Sequence, residues 1–357
     1  MKTLKLRRFD DLHVHFRGLK SKTPAYYEDN LMEQVAPFTM NYCGRATIMP
    51  NPKPRHILCV KDVKRYKSHI EMVRNSVSPQ PSFDPIMTIE ISDSTTLKII
   101  EEAHSFGVIA GKIYPTGIYG KGLSDFFSYK SWQKFGKMND LGMIVLIHGE
   151  LDLPGVLVTN REKIFLENVF IPFLSRYSRS FPNLRIVLEH VSSVSGVETV
   201  KCFGKNVAAT ITAHHLCTTL NNVVGKGTQP HNMCNPIPKD YHDMYCLQET
   251  AMSGNPKFFL GSDSAPHIRK NKECAHGACG AFTAPILPQL LAEIFENAGK
   301  LDKLEDFTSR FGAEFYGLPL NEGKIKLVKK DWIIPEQYGD VVPFMAGQKL
   351  QWQLLLE

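Results

Sequence analysis

The 357-residue chain is 43% hydrophobic and 22% charged, with a formal net charge of +6, a balance that fits a folded globular protein and excludes a disordered one. Its positive excess is not arranged for nucleic acid, because the two short basic runs, Lys5-Leu6-Arg7-Arg8 and His267-Ile268-Arg269-Lys270-Asn271-Lys272, carry no interleaved aromatics. No apolar stretch approaches the ~20 residues that cross a bilayer, the first residues lack the apolar core of a signal peptide, and the eight cysteines form no Cys-x-x-Cys pair. The expectation is a reduced, cytoplasmic protein with a small-molecule substrate and neither a nucleic-acid nor a membrane partner.

In chain order, runs rich in Val, Ile and Leu predict strands at 12–16, 46–49, 86–91, 108–114, 143–148, 185–190, 207–213 and 258–262. Segments of helical period lie between most of them, as at 96–106, 161–177 and 241–253. Alternating β and α segments call for a parallel sheet, since parallel strands need a crossover. Eight such units in roughly 250 residues match an α/β fold of the (β/α)₈ TIM-barrel type. An open doubly wound sheet is the alternative, but its glycine-rich phosphate fingerprint is missing. The tail after residue 285 reads as helices at 285–298 and 302–311 with extended pieces near 325–328 and 341–344, decorating a single domain of residues 1–357.

Residues that carry chemistry fall at the C-terminal ends of these strands, the end where barrel active sites are built. Asp11-Leu12-His13-Val14-His15-Phe16-Arg17 puts His13, His15 and Arg17 on one face if the strand alternates regularly. Two imidazoles on a buried face are costly unless paired or metal-bound, though a chance His-x-His on an exposed strand reads the same way. Lys112 sits in the apolar run from Val108 to Tyr114, either reaching to the rim or as a neutral amine that captures carbon dioxide as a carbamate. Two further runs end in histidine, at His148 and His190. The last strand ends at Asp263, which is otherwise readable as a helix cap. Together these are donors that zinc accepts.

The pattern resembles the amidohydrolase superfamily in its binuclear form. The surrounding words, Asp10-Asp11-Leu12-His13-Val14-His15-Phe16-Arg17, Met49-Pro50-Asn51, Lys112-Ile113-Tyr114-Pro115, His148-Gly149-Glu150, Glu189-His190 and Gly261-Ser262-Asp263-Ser264-Ala265-Pro266-His267, resemble the shorter bacterial-type dihydroorotase family. Phe315-Tyr316-Gly317-Leu318-Pro319 and Val342-Pro343-Phe344 extend the match over nearly the whole chain. The resemblance implies two Zn²⁺ per chain, one on His13, His15 and Asp263 and one on His148 and His190, bridged by N6-carboxylated Lys112. It implies that Arg17, Asn51 and His267 hold the substrate carboxylate, with backbone contacts near Asn235 and Cys279, and it allows a homodimer. The implied reaction is reversible cyclisation of N-carbamoyl-L-aspartate to L-dihydroorotate in pyrimidine synthesis. A hydroxide shared by the metals attacks the ring carbonyl, and Asp263 serves as base and then acid.

Two stretches depart from the family pattern. Thr116-Gly117-Ile118-Tyr119-Gly120-Lys121-Gly122 lacks the adjacent Thr-Thr pair of the family's closing loop, which leaves Thr116, Tyr119 or a lid that works differently, and residues 18–29 are an insertion, with asparagine at 235 a further departure. Three other readings stand beside this one. A deaminase of the superfamily has no strand lysine. A hydantoinase carries a flanking β-domain for which the twelve residues before His13 leave no room. An inactive scaffold barrel would be expected to have lost ligands that this chain keeps.

Overall fold

The computed structural model describes residues 2–18, 31–79, 82–115 and 122–355. The expectation for Thr116 and Tyr119 lies outside those residues, as does nearly all of the 18–29 insertion. In chain order the strands are β1 (Thr3–Arg7), β2 (Phe9–Val14), β3 (Cys43–Ile48), β4 (Asp84–Glu90), β5 (Ala110–Ile113), β6 (Ile144–His148), β7 (Arg185–Glu189), β8 (Val207–Ile211), β9 (Phe258–Leu260), β10 (Lys324–Ile333) and β11 (Lys349–Leu355). Strands β2 to β9 form one eight-stranded parallel sheet in sequence order, with helices between most of them. This is a nearly closed TIM barrel. All eight expected strands are present.

The apolar runs form strands because both faces of a parallel sheet are covered. Ile86, Ala110, Ile144, Leu146, Val187, Ala208 and Phe259 fill the lumen, closed at one end by Phe311 and Tyr316. Alternate residues such as Val145, Ile147, Ile186 and Leu188 belong to the outer core shared with the helices. The two-residue period carries the lumen row onward to the C-terminal mouth, so Ala110 is followed by Lys112 and Leu146 by His148. Helices Leu97–Ser105, Val194–Cys202 and Tyr241–Met252 start where Thr96, Ser193 and Asp240 accept the N–H three residues ahead. The helix expected over 161–177 runs from Arg161 to Ser180 with one widened turn at Leu166–Phe170.

Three details differ from the expectations. Strand β2 stops at Val14, and its pairing with β3 shifts between Asp11 and Val14. Leu12 therefore joins the lumen cluster while Val14 and Phe16 join the outer core. Simple alternation does not survive to Arg17, which is turned by a left-handed backbone, φ 65°. The second difference is that residues 341–344 form no strand; the tail pairs β10 with β11 instead. Lastly, the N-terminal residues form β1, which pairs antiparallel with β10. The result is a three-stranded sheet, β1-β10-β11, beside the barrel.

The barrel closes between β9 and β2 at its mouth. Asp11 accepts the Ser262 N–H at 2.8 Å and the Ser262 hydroxyl at 2.6 Å. The Asp263 N–H donates to the His13 carbonyl at 2.8 Å and the His15 N–H to the Ser264 carbonyl at 3.1 Å. Gly261 permits this approach, because a Cβ there would lie 2.8 Å from Thr210 and 2.9 Å from the His13 Cβ. Among the described residues no helix is long and apolar enough to cross a membrane.

Candidate active site

Closure of the seam brings the two ends of the barrel's chain together as a donor cluster. His13 Nε2 and His15 Nε2 lie 3.3 and 3.1 Å from Asp263 Oδ1, and the three side chains can share one ion. On the opposite side of the mouth, His148 Nδ1 and His190 Nε2 converge to 2.9 Å. The His13 and His190 rings are 5.0 Å apart, which joins the two halves into one site. Lys112 is fully buried, and its Nζ has no hydrogen-bond partner among the described residues, lying 5.3 Å over the Tyr114 ring. An isolated buried amine is costly, and burial brings it down to about 8 against the pull of Glu189 and Asp263.

The donor set fits metal on two further grounds. First, each histidine pair has one ring held from behind by a buried carboxylate. His13 Nδ1 donates to Glu189 Oε2, and His148 Nε2 lies 3.1 Å from Glu150 Oε2. Such partners fix the tautomer and leave the other nitrogen to face an ion. Neither Glu150 nor Glu189 had an assigned role from sequence, although both stand beside strand-end histidines. Second, His190 and Asp263 have left-handed backbones, φ 44° and 43°, as Arg17 does. Non-glycine residues in that region cost about 1–3 kcal/mol each and cluster at functional sites.

The charges are consistent with ligation. Burial lowers His15 to about 3, with the Arg17 guanidinium adding to the effect, and burial likewise lowers His148 and His190. At these three the neutral imidazole, with a lone pair available, is favoured, whereas at His13 burial is outweighed by the Glu189 and Asp263 carboxylates, which raise it. Burial opposes ionisation of Asp263, but His13 and His15 outweigh it and hold the carboxyl well below its usual range. Replacing Glu189 by Gln should weaken metal binding by about 10–100-fold, the usual effect of removing such a backing group. Metal titration of the stripped protein measures this, and unchanged affinity would remove Glu189 from the site.

Beside the cluster opens a cavity of about 360 Å³ lined by His15, Arg17, Asn51, His267, Asn235 and Cys279, together with Lys53 and His56. All five residues expected to contact substrate therefore surround one space. Arg17 Nε donates to the Pro266 carbonyl at 2.8 Å, and its Nη2 lies 3.0 Å from His267 Nε2. His267 Nε2 also lies 3.1 Å from the Cys279 carbonyl. One nitrogen cannot accept from Arg17 and donate to Cys279 at once, so an anion that draws the Arg17 fork leaves His267 to the carbonyl. The Asn51 side-chain oxygen is buried with no partner among the described residues. His56, held by Glu90, is a pocket residue that sequence reasoning did not find.

Two other features do not compete. His214, His215 and Cys234 form a second group with ligand atoms close together. His215 is already committed, with Nδ1 2.8 Å from the Thr212 hydroxyl and Nε2 2.8 Å from the Pro236 carbonyl. A second cavity, about 480 Å³, surrounds Glu162, Lys239 and Asp243. There Lys239 donates to Ser192 at 2.7 Å, Ser192 to Glu162 at 2.7 Å, and Asp243 accepts from the Val194 N–H.

No protein-family model matches the chain. A dihydroorotase of Aliivibrio fischeri (strain MJ11) is 40% identical over 360 residues, covering 99% of each chain. The crystal structure of dihydroorotase from Campylobacter jejuni superposes with a TM-score of 0.85 at 33% identity, covering 99% of this chain and 97% of that one. That of Saccharomyces cerevisiae dihydroorotase in complex with 5-fluoroorotic acid gives 0.85 at 31% identity, covering 100% and 99%.

Proposed function

This chain belongs to the dihydroorotase family of the amidohydrolase superfamily, hydrolases of a cyclic amide, and on that premise we propose that it interconverts N-carbamoyl-L-aspartate and L-dihydroorotate in pyrimidine synthesis. The observation that carries this reading is the meeting of His13, His15, Asp263, His148, His190 and a buried Lys112, without a hydrogen-bond partner among the described residues, at one barrel mouth. That mouth opens onto a cavity walled by Arg17 and His267.

In the proposed assignment, His13, His15 and Asp263 hold one zinc ion and His148 and His190 a second. A carbamate on Lys112 would add oxygen donors for both. It forms when the neutral amine adds carbon dioxide and releases a proton, and the burial that brings Lys112 to about 8 supports it. When bound, two such ions would make water acidic enough to ionise near neutral pH and would polarise the ring carbonyl. Asp263 engages both histidines through Oδ1, which leaves Oδ2 to take the proton of the attacking water and deliver it to the departing ring nitrogen. Arg17 offers its planar fork to the substrate carboxylate, Asn51 and His267 flank it, and the backbone at Asn235 and Cys279 completes the pocket. Glu189 and Glu150 keep the His13 and His148 rings in orientation. We expect the 357 residues to act as one domain, in the cytoplasm, as a homodimer.

Zinc-loaded protein should consume the ultraviolet absorbance of L-dihydroorotate, and a chelator should abolish the activity. Two bound zinc ions without loss of absorbance would move the reading to another cyclic amide. Absence of both zinc binding and turnover would leave a non-catalytic barrel.

A further inference from the structure

Lys272 ends the short helix Arg269–Lys272, five residues beyond His267, and is 3% exposed. Its ammonium donates to the Met233 carbonyl at 3.2 Å and to the Gly280 carbonyl. The Gly280 N–H donates to that same Met233 carbonyl at 2.8 Å, and the Ala278 N–H to the Asn271 carbonyl at 2.8 Å. Three loops are thereby knotted at one buried cation: the one carrying His267, the one leading to Asn235, and the one carrying Cys279. All three line the cavity beside the donor cluster. Gly280, φ 147°, makes the packing feasible, since a Cβ there would lie 2.2 Å from the Ala265 carbonyl oxygen.

The identified partners of Lys272 are carbonyls, which have no charge to cancel its own. A buried cation without a counter-charge is unfavourable. Burial brings Lys272 down to about 8, against the pull of the Cys234 and Cys279 thiols and with the Arg17 guanidinium adding to the effect. Lys272 does not itself line the cavity, but with Arg17 in the wall and this second cation behind it the pocket favours an anionic occupant.

We propose that Lys272 is a positioning residue for the substrate carboxylate: it ties the His267, Asn235 and Cys279 loops into one wall and supplies uncompensated positive charge behind Arg17. The inference rests on the dihydroorotate reading and deepens it. Lys272 acts through the wall it holds, so its effect falls on substrate binding more than on the chemical step.

The test compares unsubstituted protein with Lys272→Met, which keeps the apolar stem, and with Lys272→Arg, which keeps the charge. For Lys272→Met the expected result is a rise in KM for L-dihydroorotate of about tenfold, kcat within about twofold and unchanged zinc content, the pattern of lost uniform binding. Preference for the acid over its neutral carboxamide should fall, and Lys272→Arg should recover part of both. Equal losses of kcat for acid and carboxamide with unchanged preference, or an unsubstituted KM, would overturn the proposal. Should Lys272→Met not fold, Lys272→Gln carries the same expectation with a smaller rise. Calorimetric titration with orotate separates the two levels. If the zinc-loaded protein does not turn over dihydroorotate but binds orotate in a Lys272-dependent way, the reaction assignment fails and the pocket inference stands. Orotate binding that ignores Lys272 sinks the inference alone.

Discussion

Asp263→Asn is expected to keep its metal and lose turnover in both directions by about 100- to 10,000-fold, the range that general acid–base catalysis contributes. The substitution is a clean one for this position. Asp263 has φ 43°, and asparagine is among the few residues that tolerate the left-handed region. Its N–H bond to the His13 carbonyl belongs to the backbone and survives. An amide oxygen still faces His13 and His15, so a ligand position is retained. What disappears is the carboxylate that those imidazoles hold ionised, and with it a group able to accept a proton and return it. Steady-state rates in both directions, with zinc content measured on the same samples, check this. Near-normal turnover with full zinc would end the proton-carrier role.

Lys112→Met separates chemistry from packing at a fully buried charged residue of the site. The side chain lies at 0% exposure in the lumen row that continues from Ala110, and methionine preserves most of its volume. Truncation to alanine would instead leave a cavity and cost about 2–5 kcal/mol by itself. The methionine variant should fold with a melting temperature at or above that of the parent, because a desolvated amine is removed. It should bind less than the full complement of zinc and lose turnover by about 1,000-fold or more, reflecting the lost share of two-metal catalysis. Isotope-labelled bicarbonate should mark the parent at Lys112 and leave the variant unmarked. Full activity in Lys112→Met would mean that the lysine is a structural oddity and that the histidines and Asp263 suffice.

The barrel was legible because strands covered on both faces must be apolar throughout, so each appears as an uninterrupted run whose polar residues stand out at one end. His148, His190 and Asp263 were visible for that reason. Glu189 was not. Its partner His13 is 176 residues away, and a glutamate preceding a histidine reads as an ordinary strand end until the barrel is closed. The same holds for His56 and Glu90, joined only when β4 and the loop after β3 are side by side. The geometry around Arg17 was misread because a shift in strand pairing between Asp11 and Val14 depends on the neighbouring strand, which the local period does not register. Strand β1 was missed because its alternation spans only five residues and its whole pairing comes from Lys324–Val328, more than 300 positions later.

The seam between β9 and β2 has a consequence for how the molecule comes into being. Asp11 and Ser262, 251 residues apart, fasten the ring at the very point where the first and last metal donors meet. A ribosome must therefore deliver about three-quarters of the polypeptide before either the cylinder or its catalytic centre can exist. Until then β2 waits with one flank unpaired, an exposed edge of the kind that invites association with other chains. Maturation is thus a late, single event in which enclosure and competence arrive together, and a nascent chain halted before Phe258 would hold seven of the eight barrel strands and none of the activity.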